Sequence, residues 1–228
     1  MYWGIDGCKN GWIAIGLGDT DEQQAAVYPT LSAFWEANHE TAQLVLVDMP
    51  MGIPDNVERR VEAAARATIQ SRYSSFFPVP ARQTLTFAAE KHFAAEAYQV
   101  ASDLNQSLLG KRLSKQTWSI MPKIHEVDRF LIDTDAAQAH IVEGHPEVLF
   151  WALNGCKPLR YPKSQGLGFH ERLGILQRFL PDALTLIQTV YDAHSRYLND
   201  DDVVDALVCA VSARLGNLRS IPEVPDVD

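Results

Sequence analysis

The sequence predicts an α/β protein in which helices flank a mixed five-stranded sheet. Three short apolar runs separated by turn residues open the chain, as expected of three antiparallel strands. Two later apolar runs alternate with helical patterns, which is typical of strands joined by crossover connections. With 228 residues, of which 46% are hydrophobic and 21% charged, the chain is long enough to bury a core of this kind.

The strands are predicted from local apolar patterns and from the turns between them. Asn10-Gly11 is a strong hairpin signal between the first two strands. The fourth run is apolar without alternation, which indicates a central strand covered on both faces. The five strands are predicted at residues 2–6, 12–17, 24–28, 44–48 and 139–143.

The remainder of the chain is predominantly helical. Asp55 is predicted to cap a helix that contains residues 57–69, and Pro122 is expected to kink or break a helix at 115–134. Further helices are predicted at about residues 85–109, 146–154, 168–180, 182–196 and 201–215. We therefore expect a single domain over residues 1–220, with a largely helical insertion at about 71–135 and a disordered tail at 221–228.

Composition restricts the cellular setting. No apolar run approaches the roughly 20 residues that a membrane helix needs, and the first residues do not resemble a signal peptide. The three cysteines are far apart in sequence, so they predict neither a disulfide framework nor a zinc knuckle. These features predict a cytoplasmic protein that does not bind membranes.

Charge is distributed unevenly along an acidic chain. The net charge is −9, which by itself argues against nucleic-acid binding. Residues 59–123, however, hold ten Lys and Arg against four Asp and Glu, a balance of +6, whereas the rest holds ten against twenty-five, a balance of −15. The basic stretch is either a set of solvated helix charges or a surface that holds a polyanion beside an acidic site.

Acidic residues occur at positions where a fold seldom places them. Asp6 and Asp48 follow apolar residues of the first and fourth strands, and Glu143 ends the fifth. Asp202 and Asp205 are three residues apart at the start of the final helix, so they share a face. Each acid also has an ordinary structural explanation, such as a turn, a helix dipole or exposure to solvent.

Asp205 is the least easily explained of these acids. It lies in the sequence Val-Val-Asp-Ala-Leu-Val-Cys-Ala-Val, which is apolar on nearly every side of a helix and is therefore expected to be buried. A buried carboxylate requires a cation or hydrogen-bond donors. No Lys or Arg occurs from Tyr197 to Ala213, so the partner must come from elsewhere, and a metal ion is one candidate.

Acids at the ends of neighbouring strands converge at one sheet edge, where open α/β sheets place their sites. Clustered carboxylates supply oxygen ligands, which suit Mg²⁺ or Mn²⁺. Two such ions can activate water and stabilise the leaving oxygen in phosphodiester hydrolysis. The sequence contains neither a His-x-x-x-His nor a Cys-x-x-Cys pair that would favour another metal.

Several motifs together resemble one protein family. The sequence Gly-Ile-Asp-Gly-Cys-Lys-Asn-Gly-Trp at 4–12 and the sequence Asp-Met-Pro-Met-Gly-Ile-Pro at 48–54 are similar to motifs of the predicted nucleases known as domain of unknown function 429. The resemblance continues in order along the chain to about residue 215, through Arg66 and residues 74–82, 114–116, 122–128, 143–147 and 202–206.

The resemblance implies a ribonuclease-H-like fold and a set of metal ligands. Members of that superfamily carry one acid on the first strand and one on the fourth, which match Asp6 and Asp48. Holliday-junction resolvases add two Asp residues at the start of a late helix, which match Asp202 and Asp205. Glu143 matches a third acid whose position varies within the superfamily. The implied partner is a nucleic acid, either DNA or RNA.

Other residues of these motifs have two interpretations. His145, close to Glu143, is a candidate proton shuttle or a turn residue before Pro146. The basic side chains expected to contact phosphates, or else to pair with neighbouring acids, are Arg66, Arg82, Lys111, Arg112, Lys115 and Lys123.

Three functions are compatible with the sequence. The favoured one is metal-dependent hydrolysis of phosphodiester bonds, with Asp6, Asp48, Glu143, Asp202 and Asp205 as catalytic ligands. An actin-like phosphotransferase or ATPase shares the opening Gly-Ile-Asp-Gly, but no second glycine-rich phosphate loop follows. A non-enzymatic module that binds an ion or a protein partner is the third.

Overall fold

The computed structural model describes residues 1–69, 76–91 and 95–221. The chain forms two compact units, one built from Met1–Met49 with Thr134–Leu218 and the other mainly from Pro50–Asp133. The single-domain organisation remains a prediction, and the predicted tail, apart from Ile221, lies outside the described residues. None of the described helices combines the length and the apolar composition that a membrane span requires.

The first unit contains a mixed five-stranded sheet, as the sequence predicts. Its strands are β1 (Tyr2–Cys8), β2 (Gly11–Leu17), β3 (Gln23–Tyr28), β4 (Leu44–Val47) and β5 (Ile141–Glu143). Their spatial order is β3-β2-β1-β4-β5. The first three strands pair antiparallel, whereas β4 is parallel to both β1 and β5. The architecture is α/β and is consistent with the ribonuclease-H-like fold that the sequence predicts.

Two strand boundaries differ from the predicted ones by two residues, and three others differ by one residue. β1 extends to Cys8 instead of ending at residue 6, because Asn10 adopts a left-handed conformation with φ of 62° and closes a tight hairpin to Gly11. β5 begins at Ile141 and not at residue 139, because a helical turn at Asp135–Gln138 occupies the preceding residues. Asp6 therefore lies inside its strand, and Glu143 remains at the end of its own.

Six helices accompany the sheet in this unit. They are α1 (Leu31–Asn38), α6 (Asp135–Gln138), α7 (Pro146–Leu153), α8 (Gly166–Leu176), α9 (Ala183–His194) and α10 (Asp202–Leu215), with a 3-10 turn at Ser195–Tyr197 before the last. Every residue of α10 from Asp202 to Ala213 is buried. Side chains of the sheet, such as Ile13 and Leu17, form one apolar core with those of the last four helices.

The second unit is helical in the described part of the chain. It comprises α2 (Val61–Ile69), α3 (Arg82–Lys91), α4 (Ala95–Leu109) and α5 (Lys115–Asp133). The prediction that Asp55 caps the first of these helices is wrong, because the helix begins at Val61. Pro122 does not break α5, whose buried residues Trp118, Met121 and Ile124 continue one apolar face past the proline.

Gly4 allows α10 to lie directly against β1. A Cβ atom on Gly4 would lie 2.0 Å from the carbonyl oxygen of Ala206 and 2.2 Å from the amide nitrogen of Ala210. Both are backbone atoms of a buried helix, so they cannot move aside as a flexible side chain would. Only a residue without a Cβ atom permits this approach of helix to strand.

Gly4→Ala is expected to destabilise the protein by more than about 3 kcal/mol, because the added methyl group must push α10 away from the sheet and expose its buried face. Urea unfolding measures the change. Gly174→Ala is the matched control, since Gly174 is an exposed helical glycine with nothing within 4 Å of the added Cβ, and it should gain roughly 0.5–1 kcal/mol. Equal stability of Gly4→Ala and wild type would contradict the close contact.

Candidate metal centre

Three carboxylates meet where β1, β4 and α10 come together. One oxygen from each of Asp6, Asp48 and Asp205 lies within 4.8 Å of the other two. Asp6 and Asp48 are half-buried, whereas Asp205 is only 2% exposed. The structure thus brings together three of the five acids that the sequence singles out.

The sheet places Asp48 beside Asp6. The parallel register pairs Ile5 with Val47, and the amide of Asp48 continues it by donating a hydrogen bond of 2.9 Å to the carbonyl oxygen of Ile5. The two acids therefore follow directly on paired residues of adjacent strands. This is the arrangement expected of residues at the carboxyl ends of parallel strands.

Close helix packing brings Asp205 to the same place. Side chains two residues apart in a strand point to the same face, so Asp6 lies on the face of β1 on which Gly4 contacts α10. Asp205 immediately precedes Ala206, whose carbonyl oxygen is the atom nearest to a Cβ placed on Gly4. The backbone approach at Gly4 therefore fixes the separation of the carboxylates on strand and helix.

The three acids disfavour one another's charged forms. Burial, followed by repulsion from Asp48 and Asp205, holds the pKa of Asp6 well above its usual range. Burial and the charge of Asp205 likewise raise the pKa of Asp48. Burial raises the pKa of Asp205 to about 6, although the adjacent Lys163 opposes this shift. The cluster is consequently a site that a cation stabilises.

Lys163 is a protein cation at this site, and no pattern in the sequence indicates it. Its Nζ atom donates a hydrogen bond of 2.9 Å to Oδ2 of Asp205 and lies 2.5 Å from Oδ2 of Asp201. Burial lowers the pKa of Lys163, but the charge of Asp205 and the hydrogen bonds to both acids outweigh it and raise the pKa above its usual range. Part of the positive charge that Asp205 requires thus comes from a loop residue 42 positions away in the sequence.

Lys163 satisfies one oxygen of Asp205 and leaves the other without a partner. Oδ1 of Asp205 is buried and accepts no hydrogen bond from any residue in the described part of the chain. A buried carboxylate oxygen in this state is costly unless a cation or a donor reaches it. The three acids supply hard oxygen ligands of the kind that Mg²⁺ and Mn²⁺ prefer, so the site fits such an ion.

Asp202 belongs to the turn that starts α10. Its Oδ2 atom accepts a hydrogen bond of 2.7 Å from the backbone amide of Asn199, and the Asn199 side chain donates to both of its oxygens. Burial raises the pKa of Asp202 and the bonds from Asn199 oppose the shift. The negative charge of Asp202 contributes to the raised pKa of Asp6. Asp202 itself lies outside the group of three clustered carboxylates.

Glu143 and His145 also lie outside the group of three carboxylates. Glu143 pairs with Val47 at the end of β5, and its charge helps to raise the pKa of Asp48. His145 is half-buried and occupies the N-cap position of α7. Neither residue is therefore one of the three clustered ligands.

Cys209 is a further buried neighbour that the sequence analysis did not select. It lies one turn after Asp205 on α10, and it is fully buried. Burial, followed by the charges of Asp48 and Asp6, holds the pKa of its thiol well above the usual range. A protonated thiol is a weak ligand for hard cations, so Cys209 contributes packing beneath the carboxylates.

An open pocket of about 500 Å³ adjoins the cluster within the first unit. Lys163 and Asp205 line it, so the pocket and the three carboxylates share one residue, Asp205. Residues 164–166, which lead into α8, and the loop at 199–201 also line it. A ligand in this pocket would contact the charged groups of the site.

The basic side chains selected from the sequence lie in the second unit and have local contacts. Lys111 and Arg112 form exposed ion pairs. Such pairs contribute little to the stability of the fold, so both cations can bind other anions instead. Lys123 lies on α5. The contacts are Arg66 to the carbonyl oxygen of Phe76 (2.7 Å), Arg82 to Asp128 (3.3 Å), Lys111 to Glu58 (2.6 Å), Arg112 to Asp103 (2.6 Å) and Lys115 to the ring of Tyr98 (3.3 Å).

Asp6→Asn is expected to raise the melting temperature of the metal-free protein at about pH 8, and to raise it less at about pH 5. The pKa of Asp6 is higher in the folded protein than in the unfolded chain, so ionisation of Asp6 destabilises the fold above that pKa. The penalty shrinks as the pH falls from the folded pKa towards the unfolded pKa, so it is smaller at pH 5 than at pH 8. Thermal melts in a chelator measure both differences.

Asp192→Asn is the control for this change, because Asp192 is an exposed acid on α9. Its melting temperature should follow that of the wild type at both pH values. A stabilisation by Asp6→Asn that is greater at pH 5 than at pH 8 would contradict the electrostatic explanation.

Comparison with known proteins identifies a family. The family model described as "Protein of unknown function (DUF429)" matches residues 4–227. Neither a search of curated proteins nor a search of solved structures found a match. The match covers almost the whole chain and confirms the resemblance seen in the sequence motifs. The chain therefore belongs to the DUF429 family of proteins of unknown function.

Proposed function

We propose that this protein is a metal-dependent nuclease that hydrolyses phosphodiester bonds of a nucleic acid, with Mg²⁺ or Mn²⁺ bound by Asp6, Asp48 and Asp205. The observation that carries the proposal is the convergence of these three carboxylates within 4.8 Å of one another, together with the buried Oδ1 of Asp205, which has no hydrogen-bond partner among the described residues. Repulsion among the acids and the oxygen-only ligand set both favour a divalent ion of this type.

A bound divalent ion would supply Lewis-acid polarisation of a phosphoryl oxygen and a lowered pKa for water. The residues of the chain provide the geometry for this chemistry. Asp6 and Asp48 are held by paired strands, and Asp205 by a buried helix, so all three are positioned before substrate binds. Asp202 and Glu143 add negative charge around them and favour a cation further.

The pocket beside Asp205 supports binding of a phosphate-containing substrate. Lys163 lines it and presents a positive charge next to the carboxylates. Substrate phosphates carry negative charge, and an ammonium group is an ordinary partner for them. The +6 balance of residues 59–123 is the second supporting feature, because a polyanion needs a basic surface that an acidic protein otherwise lacks.

The protein is expected to cleave at least one member of a panel of single-stranded, duplex, branched and RNA–DNA hybrid substrates in Mg²⁺ or Mn²⁺, but not in a chelator. Asp48→Asn should reduce the rate by more than the roughly 10- to 100-fold that loss of an outer partner of a metal ligand costs. Asp192→Asn removes an exposed acid of the same unit and should retain the wild-type rate.

Three results would contradict the proposal. The first is cleavage that persists in Asp48→Asn, which would indicate a contaminating nuclease. The second is metal-dependent hydrolysis of ATP without cleavage of any nucleic acid in the panel, which would favour an actin-like phosphotransferase or ATPase. The third is metal binding without turnover of either substrate, which would indicate a non-enzymatic module.

The triple substitution Lys111→Gln, Arg112→Gln and Lys115→Gln is expected to weaken nucleic-acid binding for all sequences alike. Each phosphate contact that is lost should reduce the slope of log affinity against log salt by about 0.9 for duplex DNA. Gln is preferable to Glu here, since Glu at the first two positions would face Glu58 and Asp103. Fluorescence anisotropy at several salt concentrations measures both quantities.

Arg129→Gln is the matched control for the triple variant. Arg129 is also an exposed cation of the second unit and pairs with Asp133, but it lies outside residues 59–123. It should leave affinity and salt slope close to the wild-type values. If the triple variant and this control behave alike, the basic stretch does not hold the nucleic acid.

A further inference from the structure

Lys163 pairs with two acids, one of which belongs to the cluster of three carboxylates. Its Nζ atom lies between carboxylate oxygens of Asp201 and Asp205, at 2.5 Å and 2.9 Å. Asp205 is simultaneously one of the three clustered acids. The ammonium group therefore neutralises one oxygen of the carboxylate whose other oxygen is buried and without a partner in the described chain.

The loop that carries Lys163 is held in place by a buried arginine. Arg172, which is 2% exposed, forms a buried salt bridge with Glu147. Its Nη1 atom donates hydrogen bonds to the carbonyl oxygens of Gly168 and Tyr161, at 3.1 Å and 3.3 Å. Residues on both sides of Lys163 are thus attached to the same guanidinium group.

Gly168 brings this loop into contact with the first turn of α8. A Cβ atom on Gly168 would lie 1.9 Å from the carbonyl oxygen of Pro162, the residue before Lys163. The backbone on the N-terminal side of Lys163 is therefore fixed against the helix. With its backbone fixed in this way, Lys163 needs to order only its side chain to reach Asp205, which lowers the entropic cost of the contact.

The charges of the centre favour one divalent ion. The three clustered carboxylates and Asp201 carry −4 when ionised, and Lys163 contributes +1, which leaves −3, so one divalent ion leaves −1 whereas two would leave +1. A second divalent ion bound to Asp205 would lie within a few ångströms of the ammonium group and would be repelled by it. We propose that Lys163 replaces the second metal ion, so that the centre binds a single divalent ion beside a permanent protein cation.

This inference rests on the proposed metal centre and modifies the two-ion expectation from the sequence. An ammonium group has three donors, of which Asp201 and Asp205 accept two. Since Lys163 also lines the adjoining pocket, its third N–H would be available to a phosphate oxygen of a substrate bound there. Lys163 would act as a positioning residue that holds Asp205 and as a fixed positive charge for the substrate.

The test counts Mn²⁺ ions bound per chain, from the loss of the electron paramagnetic resonance signal of free Mn²⁺ during titration of the whole protein. The wild type is expected to bind one ion in this centre. Lys163→Met and Lys163→Gln remove the charge and should each bind two, with spin coupling between the two ions. Lys163→Arg keeps the charge and should bind one. Cooperative thermal melting of each variant, recorded first, establishes that it is folded.

Lys157→Met is the matched control, because it removes the same charge from an exposed position of the same unit and should leave the count at one. Two ions in the wild type, or one ion in both neutral variants, would overturn the role of Lys163. No Mn²⁺ bound by the wild type at millimolar concentration would overturn this inference together with the proposed function.

Nuclease assays on the same preparations distinguish the two hypotheses. Cleavage by a wild type that binds two ions refutes the role of Lys163 and leaves the proposed function in place. One bound ion in the wild type and two in the neutral variants, without cleavage of any substrate, supports the role of Lys163 and refutes the proposed function.

Discussion

The contact between α10 and β1 at Gly4 is the constraint on which the site depends. It requires the absence of a Cβ atom, because backbone atoms of Ala206 and Ala210 occupy that space. The same contact buries almost every side chain of α10 and brings Asp205 next to the acids of the sheet. Stability and the candidate metal centre therefore arise from a single packing interaction, in which apolar burial provides the free energy that holds like charges together.

The opposition between packing and electrostatics explains the charge pattern around the cluster. Hydrophobic burial of α10 forces Asp205 out of water, and the sheet places Asp6 and Asp48 beside it. Lys163 relieves part of the repulsion, but the pKa values of Asp6 and Asp48 remain well above their usual range. A site whose acids repel one another in this way would bind a cation at the expense of apo stability, a common compromise at functional sites.

Local sequence patterns were sufficient for most of the sheet and for the three clustered acids. Asp6, Asp48 and Asp205 each follow or interrupt an apolar run, and this departure from the pattern is visible without a structure. Lys163 gives no such signal, since it lies in a polar loop 42 residues from the acid that it contacts. The spacing of Asp202 and Asp205 is equally ambiguous. A separation of three residues predicts a shared face, but it does not show that Asp202 accepts a hydrogen bond from Asn199 instead of joining the cluster. Contacts between distant segments, and local capping, were the features that sequence alone did not determine.

The two oxygens of Asp205 have different environments, and this difference has a consequence for how the centre would bind ions. Oδ2 is held by an ammonium group whose loop is attached to the buried Arg172, so its cation is part of the fold. Oδ1 is buried with no hydrogen-bond partner among the residues that the structure describes, so any cation that it binds must come from solution. One carboxylate would thus connect a permanent cation to an exchangeable one. The permanent charge lowers the repulsion that an empty site would impose on the fold, and it leaves enough negative charge for a divalent ion to bind.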